Sequence, residues 1–372
     1  MNEEKIKMKT SIEQFDEWLK DDSPAAALVM RQWLVPIEGK DAVIFPPTYA
    51  KPERMKEEEW LGYNIDRFED GSNVCLIDSV GSQANRMEEL FKREPYNKLV
   101  PRVIVRAKDK SVNLLDAGHR AADAIVRFSS LSKDFEEAFE ALKSEANAEP
   151  LAKISPTSIV FGVWDSRMTQ VKLPRIVRSV IRAFDVKPMH RSAQYIPPID
   201  YVEEGLLDKP ESKSQQDSMS QLGLSHAPAP WTHGGVEVKG GIRRDATLNL
   251  VALRALGAKT NENTLKLRRY ILGLALISFT APQETFLREG CELVPDPERP
   301  VEWNIVHHDG QRKPFAVSHD DVLKFAQMAA EDFKVGPDKE GIFDAKIANE
   351  ALRQSKEERK KAQRTKGEIS GE

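Results

Sequence analysis

The stretch GGVEVKGGIRRDATLNLVALRAL, from Gly234 to Leu256, combines two glycine pairs, an arginine doublet and an apolar run. Glycine lets the backbone approach a ligand closely, because no side chain stands in the way. Arg243 and Arg244 follow the second pair, and a guanidinium can hold a phosphate through two parallel hydrogen bonds. A helix beginning just after the doublet would add N–H groups that favour an anion. The segment therefore predicts a phosphate grip by Lys239, Arg243 and Arg244, although a bulged hairpin with arginines paired to distant acids also fits.

A second candidate binding segment, SVGSQANRMEE, follows a predicted strand. Ser79 and Ser82 can cap the helix that this segment predicts, since their hydroxyls accept from free N–H groups of the first turn. Amide side chains can contact phosphates and sugar hydroxyls without selecting a base. An ordinary capped helix with no ligand is the competing interpretation. The polar residues of its first turn are Gln83, Asn85 and Arg86.

Positive charge is concentrated in two central blocks of the chain. Residues 160–193 contain seven Lys/Arg against two acids, and residues 239–269 contain eight against two. A helix predicted over Leu173–Phe184 would place its arginines, spaced three and four residues apart, on one face. Any one of these arginines is also explained by a solvated surface. The arginines concerned in the first block are Arg167, Arg175, Arg178 and Arg182.

Composition limits the class of protein. The chain has 372 residues, 40% of them hydrophobic and 31% charged, with a net charge of −4, as expected for a globular protein. Its two cysteines, Cys75 and Cys291, are far apart in sequence and predict neither a disulfide framework nor a CxxC metal site. The amino terminus lacks the apolar core of a signal peptide, and the longest apolar run, Ile271–Ala281, is shorter than a membrane span. We therefore expect a cytoplasmic protein with no membrane partner.

The elements that would position these residues alternate irregularly and predict an α+β fold. A hairpin is expected at Asp70-Gly71, a capped helix after Ser318 and a hairpin at His308–Gln311. Other segments are assigned from their apolar patterns. We expect helices over Ser11–Lys20, Ser111–Leu131, Asp134–Glu149, Leu173–Phe184 and Thr264–Phe279, and strands over Asp41–Tyr49 and Pro156–Trp164.

Together, LIDSVGSQANRMEE, FGVWDSR with its basic segment, and VKGGIRRDATLNLVALRAL resemble the backbone subunit of a type I CRISPR Cascade of subtype I-U or I-G. This subunit is a branch of the RAMP superfamily. The resemblance runs from Trp60 to Val294 with the motifs in the same order. It implies a modified RRM-like (ferredoxin-like) core with large insertions that form thumb and finger elements.

The resemblance also implies a function. Such subunits stack head to tail along a guide crRNA, contact other Cascade subunits and present the guide for pairing with target DNA. No catalysis, cofactor or metal is implied. Because one protein must carry guides of any sequence, contacts should fall on phosphates and sugars. The expected division is an N-terminal extension (1–60), a palm (61–196 and 232–343), a thumb or finger insertion (197–231) with Met219 or Trp231 as wedge, and a charged tail (344–372).

The resemblance assigns RNA contacts residue by residue. The strand-to-helix turn that begins at Ser79 and the glycine-arginine segment would form two grips, and the DAGHRAAD segment would lie near the same groove. Aromatic residues typical of a central RRM strand are missing, so base stacking on a sheet is not expected. The expected RNA-binding residues are Ser79, Ser82, Gln83, Asn85, Arg86, His119, Arg120, Arg167, Arg175, Arg178, Lys239, Arg243 and Arg244.

Two other functions fit parts of the sequence. A metal-dependent RNA endonuclease would use Asp78 or Asp245, each of which is also explained as a structural residue at a turn or an ion pair. A protein-only scaffold would use the basic blocks to bind acidic neighbours. The fragments HHDG and SHDD are expected at a hairpin turn and a capped helix start, and predict no metal site.

Overall fold

A computed structural model of the protein describes residues 11–54, 60 and 62–354. The strands are β1 (Ala25–Pro36), β2 (Ile65–Arg67), β3 (Asn73–Asp78), β4 (Val103–Ala107), β5 (Lys110–Asn113), β6 (Val163–Trp164), β7 (Lys172–Leu173), β8 (Val177–Phe184), β9 (Val186–Tyr195), β10 (Ala227–Val238), β11 (Ile242–Asn249), β12 (Phe286–Arg288), β13 (Cys291–Pro295), β14 (Glu302–His307), β15 (Arg312–Pro314) and β16 (Lys339–Ile342). The helices are α1 (Asp16–Leu19), α2 (Val80–Glu89), α3 (Ala124–Arg127), α4 (Ser132–Glu145), α5 (Glu149–Ile154), α6 (Pro156–Phe161), α7 (Lys213–Gln221), α8 (Leu250–Arg254), α9 (Asn261–Thr280) and α10 (His319–Phe333).

The fold is mixed α+β, built on a curled antiparallel main sheet in the order β12-β13-β1-β11-β8-β3-β2. Strand β1 is its longest member. One edge of β1 pairs with β11, and the other pairs first with β14 and then with β13. Sharing one edge between two partners bends the sheet around β1. The parallel pair of β16 with β4 belongs to a separate, smaller sheet completed by β5.

Strand alternation gives the main sheet two different faces. On β11, Ile242, Arg244, Ala246 and Leu248 are buried, while the residues between them are half-buried. Successive side chains of a strand point to opposite sides, so the buried set defines an inner face. The inner face packs against α9, which is buried nearly all round because apolar residues occupy every side of its second half. The opposite face, which we call the open face, remains accessible to solvent.

Strands β9 and β10 form a long ribbon outside the main sheet. Their pairing runs from Val186↔Val238 at the base to Tyr195↔Ala227 at the far end. The base is buried, but residues 190–195 are exposed, and α7 lies in the exposed connection beyond them. The segment expected as a thumb or finger insertion (197–231) therefore contains one helix and part of a strand. Met219 is the buried residue of α7, whereas the side chain of Trp231 lies outside the described part.

Several local predictions are confirmed. Strands β2 and β3 form the hairpin at Asp70-Gly71, and β14 and β15 form the one at His308–Gln311. Ser318 caps α10 by accepting from the Asp321 N–H at 3.1 Å. Helices α4 and α9 lie where they were expected, with slightly different ends. Each of these features is fixed by residues close together in sequence. The expected charged tail beyond residue 354 and the first ten residues lie outside the described part.

Other segment predictions were wrong. Leu173–Phe184 contains strand β8, because its β-branched residues favour a strand and its backbone pairs with β11. Pro156–Trp164 is mostly helix α6, with proline at the position of the first turn that needs no N–H donor. Ser111–Leu131 contains the end of β5, two turns and the short α3 rather than a long helix. Two further predictions were partly wrong. Helix α1 covers only part of Ser11–Lys20, and Asp41–Tyr49 contributes a single bridge at Ile44 instead of a strand.

Among the described helices, none is both long and apolar enough to cross a bilayer.

The crossing of α9 and α10 depends on Gly273, since a Cβ built there would lie 2.9 Å from the Cα of Ala326. We expect Gly273→Ala to lower the free energy of unfolding by about 1–3 kcal/mol, because overpacking outweighs the better helix propensity of alanine. Chemical denaturation measures the change. Gly118→Ala is the matched control, since nothing lies within 4 Å of its built Cβ. Equal stabilities for the two variants would contradict this packing.

Candidate functional site

Helix α2 starts immediately after β3, and its first turn is capped as predicted. Ser79 Oγ accepts from the Ser82 N–H at 3.2 Å. Around this turn the predicted residues point in different directions: Gln83 is buried, Arg86 is half-buried and Asn85 is exposed. One helical turn therefore presents polar groups both to the interior and to solvent.

A buried chain of hydrogen bonds joins this turn to the glycine-arginine segment. Arg244 Nε donates to Ser179 Oγ at 3.0 Å, and the Ser179 hydroxyl donates to Gln83 Oε1 at 2.8 Å. Gln83 Nε2 then donates to Asp78 Oδ2 at 2.7 Å. These hydrogen bonds link β11, β8, α2 and β3 on the inner face. The two motifs singled out in the sequence thus meet, although about 160 residues separate Gln83 from Arg244.

Asp78 is the only carboxylate in this chain of contacts, and it is shared. Its side chain is 1% exposed and contacts Arg86 at 3.1 Å and Arg288 at 3.3 Å. The Nη1 of Arg288 is buried and has no acceptor among the described residues. Two guanidiniums on one carboxylate leave this part of the inner face positively charged, even before Arg244 is counted.

Arg120 holds α2 to the DAGHR turn. Its Nε donates to Glu88 Oε2 at 2.8 Å, and both side chains are almost fully buried. Burial raises the pKa of Glu88, and the positive charge of Arg120 opposes that shift. The guanidinium also lies 5.6 Å from the ring centroid of Phe161. Arg120 is therefore committed to internal contacts, whereas its neighbour His119 is exposed.

The arginine doublet lies inside strand β11, not at a helix start as expected. Helix α8 begins only at Leu250, where the Asn249 side chain accepts from the Ala252 N–H. Because the strand sends adjacent residues to opposite faces, Arg244 is buried and Arg243 reaches the open face. The doublet therefore cannot act as a single paired grip, and only Arg243 is available to a surface ligand.

Three arginines of the open face share one acid. Asp245 Oδ1 lies 2.9 Å from Arg243 Nε and 3.9 Å from Arg31 Nε, and Asp245 Oδ2 lies 4.0 Å from Arg182 Nη1. The Asp245 side chain is 26% exposed, so water weakens each pairing. On β14, Glu302 is the cross-strand neighbour of Arg31 at the rim. The centre of the face keeps an excess of positive charge.

Aromatic side chains that the sequence reasoning missed lie beside these arginines. Arg243 lies 5.3 Å from the ring of Trp33 and 4.8 Å from that of Phe184. The guanidinium of Arg299 also lies over Trp33, 4.5 Å from the ring centroid. Trp33 is on strand β1 of the main sheet, beside Phe184 on β8. The alternation of MRQWLVP would have placed Arg31 and Trp33 on one side.

The remaining predicted cations lie on β8 or outside the strands of the main sheet. Arg178 is exposed on β8 in line with Arg182, about 13 Å along the strand, and Arg175 precedes the strand. Burial lowers the pKa of Arg175, as do the nearby charges of Arg120 and Arg178. Lys239 is exposed at the opposite end of β11. Arg167, Arg175, Arg178 and Lys239 have no ion-pair partner among the described residues.

The predicted residues thus fall into three groups. Gln83, Arg120 and Arg244 are buried; Ser79, Ser82, Arg86 and Arg243 are half-buried; Asn85, His119, Arg167, Arg175, Arg178 and Lys239 are exposed. The HHDG and SHDD fragments occupy a turn and a capped helix start, as predicted. Within the described residues, no group of three His, Cys, Asp or Glu side chains could hold a metal ion.

The two carboxylates should contribute differently to stability. We expect Asp78→Ala to lower the free energy of unfolding by about 3 kcal/mol, because it leaves the partly buried guanidiniums of Arg86 and Arg288 without an acid. Asp245→Ala is the matched control on the open face, where an exposed pairing contributes about 1 kcal/mol or less. Urea denaturation of both variants measures the difference. A loss for Asp78→Ala no larger than that of its control would contradict the buried network.

Comparison with known proteins adds family information. Residues 28–188 match the model of a family described as CRISPR-associated protein GSU0053. The matched part contains most of β1, the capped helix α2 and strand β8, and it ends before β11. No curated protein matches the chain. The match indicates that this part of the chain is similar to a family of CRISPR-associated proteins.

Proposed function

We propose that the protein is a non-catalytic backbone subunit of a type I CRISPR interference complex and binds guide RNA on the open face of its main sheet. One observation carries the proposal. Arg31, Arg178, Arg182 and Arg243 project from three adjacent strands, and Asp245 is the one acid among them. Such a surplus of guanidinium groups attracts a phosphodiester backbone.

The kind of recognition follows from the side chains available. Guanidiniums bind phosphate oxygens, and such phosphate contacts carry no sequence information. Trp33 and Phe184 pack against the Arg243 guanidinium, and a guanidinium plane or an aromatic ring can stack on any base, because every base has a π-face. The open face therefore suits a guide RNA whose sequence varies from one complex to the next. Lys239, exposed just before β11, would extend the contact along the RNA.

The strand order supports an RRM-like core. In the chain, β1 is followed by α2, then by β8 and β11, and α9 leads to β13. In the sheet the order is β13-β1-β11-β8, all antiparallel, which is the arrangement of a βαββαβ unit. Helices α2 and α9 both lie on the inner face, as this unit requires. The long insertions between β1 and β8 would then be additions to this core.

The ribbon β9–β10 with α7 is the best candidate for the thumb. It leaves the sheet directly after β8 and returns directly before β11, two adjacent strands of the open face. A projecting ribbon at this position would reach a neighbouring copy or the RNA in front of the sheet. We therefore propose guide crRNA, copies of the same chain and other Cascade subunits as partners, with target DNA bound through the guide.

The subtype, I-U or I-G, rests on the motif resemblance together with the CRISPR-associated family match.

The endonuclease alternative is less well supported by geometry. Asp78 contacts two guanidiniums on the inner face, while Asp245 lies on the open face, so the two carboxylates cannot hold one metal ion together. Incubation of the protein and its Asp245→Asn variant with labelled RNA and Mg²⁺ or Mn²⁺ tests this; a product made by wild type alone would favour the nuclease.

RNA binding by the open face is tested by removing its charges. We expect Arg31→Gln, Arg178→Gln and Arg182→Gln together to weaken binding of two unrelated single-stranded RNAs to the same extent. If three phosphate contacts are lost, the slope of log K against log salt should fall by about 2. Titrations at several salt concentrations measure both quantities.

The control removes the same charge far from the open face: Arg102→Gln, Arg106→Gln and Lys110→Gln, beside the small sheet, should leave affinity and slope unchanged. A loss confined to one RNA sequence would contradict backbone recognition. Binding that hardly responds to salt in the wild type would favour the protein-only scaffold instead.

Assembly along RNA gives a separate test. We expect the number of bound copies to rise in steps with the length of the RNA, because each subunit covers a short segment. Native mass spectrometry of the protein with a series of RNA lengths counts the copies, and ribonuclease treatment should return smaller species. One copy per RNA at every length would overturn the backbone role while leaving simple RNA binding intact.

A further inference from the structure

A cavity of about 340 Å³ lies on the inner face of the main sheet, on the side opposite the open face. Strands β1 and β11, helix α2 and the segment after α9 enclose it. Its volume falls in the range of small-molecule sites. The residues that matter most to its chemistry are Gln32, Gln83, Arg244, Phe279, Thr280 and Trp303.

Arg244 is the most deeply buried charged group in the wall of this cavity. It is 3% exposed, and no carboxylate of the described chain pairs with it. Its Nε donates to Ser179, and its Nη2 contacts Met87 Sδ at 3.7 Å. No acceptor among the described residues bonds to Nη1. Burial lowers the pKa of Arg244 to about 10, so the group is still charged at neutral pH.

The other polar groups of the wall do not neutralise this charge. Arg86 is itself cationic and contacts Asp78. His319 is committed to Tyr96 Oη at 2.8 Å and Thr280 Oγ1 at 3.0 Å, and burial lowers its pKa. The acid of the lining, Glu284, is 48% exposed at the mouth and lies 3.6 Å from Arg93. The interior thus has a positive charge and no anion of its own.

Much of the remaining wall is apolar. Phe279 and Trp303 pack against each other with ring centroids 5.7 Å apart, and Met30 and Leu34 of β1 continue the same surface. A buried charge is stable when a counter-charge and hydrogen bonds compensate its lost hydration. A cavity with one uncompensated guanidinium and an apolar wall is therefore complementary to an anion attached to an apolar body.

We infer that this cavity binds a small organic anion, whose phosphate or carboxylate pairs with Arg244 and whose apolar part lies against Phe279 and Trp303. The site is separate from the proposed RNA surface, because strand β11 places Arg244 and Arg243 on opposite faces. The side-chain amides of Gln32 and Gln83 would supply further hydrogen bonds to the anion.

The experiment uses phenyl phosphate as the probe, with inorganic phosphate, benzoate and phenol for comparison. Isothermal titration and the thermal shift of the full-length protein measure binding, since a ligand that binds only the folded state raises the midpoint. We expect phenyl phosphate to bind more tightly than inorganic phosphate, and phenol not to bind. Benzoate distinguishes a carboxylate site, where it would match phenyl phosphate, from a phosphate site, where it would be weaker.

Variants assign the site. Arg244→Met should abolish the shift while the ligand-free protein unfolds at the same or a higher temperature, because an unpaired buried charge is replaced by an apolar side chain. Arg244→Lys should retain weakened binding. Arg106→Met, which removes an exposed arginine of the small sheet, should bind like wild type.

The outcome separates this site from RNA binding. Arg244→Met should leave RNA affinity unchanged, and the triple arginine variant of the open face should leave phenyl phosphate binding unchanged. No binding of any anionic probe at millimolar concentration would overturn the inference, as would equal binding by wild type and Arg244→Met. RNA that competes fully with phenyl phosphate would also overturn it, since the probe would then report the open face.

Discussion

The shared carboxylate of Asp78 is the contact on which the arrangement of both candidate surfaces depends. It joins the end of β3 to α2 and β12, and through Gln83 and Ser179 it is linked to Arg244 in the middle of β11. A buried polar group without a partner is destabilising, so every member of such a chain constrains its neighbours. This fixes how α2 lies across the sheet and which residues of β8 and β11 are level with each other.

Strand geometry then separates two charges that are adjacent in sequence. Arg243 reaches the open face, where it packs over Trp33 and Phe184, and Arg244 enters the inner face beside a cavity. On each side the cations outnumber the acids in contact with them. The face exposed to water can present this charge to a polyanion, while the enclosed one must be compensated by something small enough to enter.

The same geometry explains how a chain with a net charge of −4 can offer a basic surface. Helix α4 exposes most of the acids of its segment on another part of the molecule, and its apolar side faces the core. The arginines of β8 and β11 meet across the sheet because these strands pair along their whole length. Local clustering, and not net charge, decides which partner such a protein attracts.

The sequence by itself determined the features that depend on near neighbours: the Ser79 cap of α2, the Asp70-Gly71 hairpin and the Ser318 cap. It also determined which segments are basic. It did not determine that Leu173–Phe184 is a strand, because arginines spaced by three and four fit one helical face and also leave apolar residues alternating along a strand. Only pairing with β11, a segment distant in sequence, decided between them and so assigned each arginine to a face. Tertiary structure alone brought Gln83 to Arg244, since hydrogen bonds through Ser179 require three elements to be in place together.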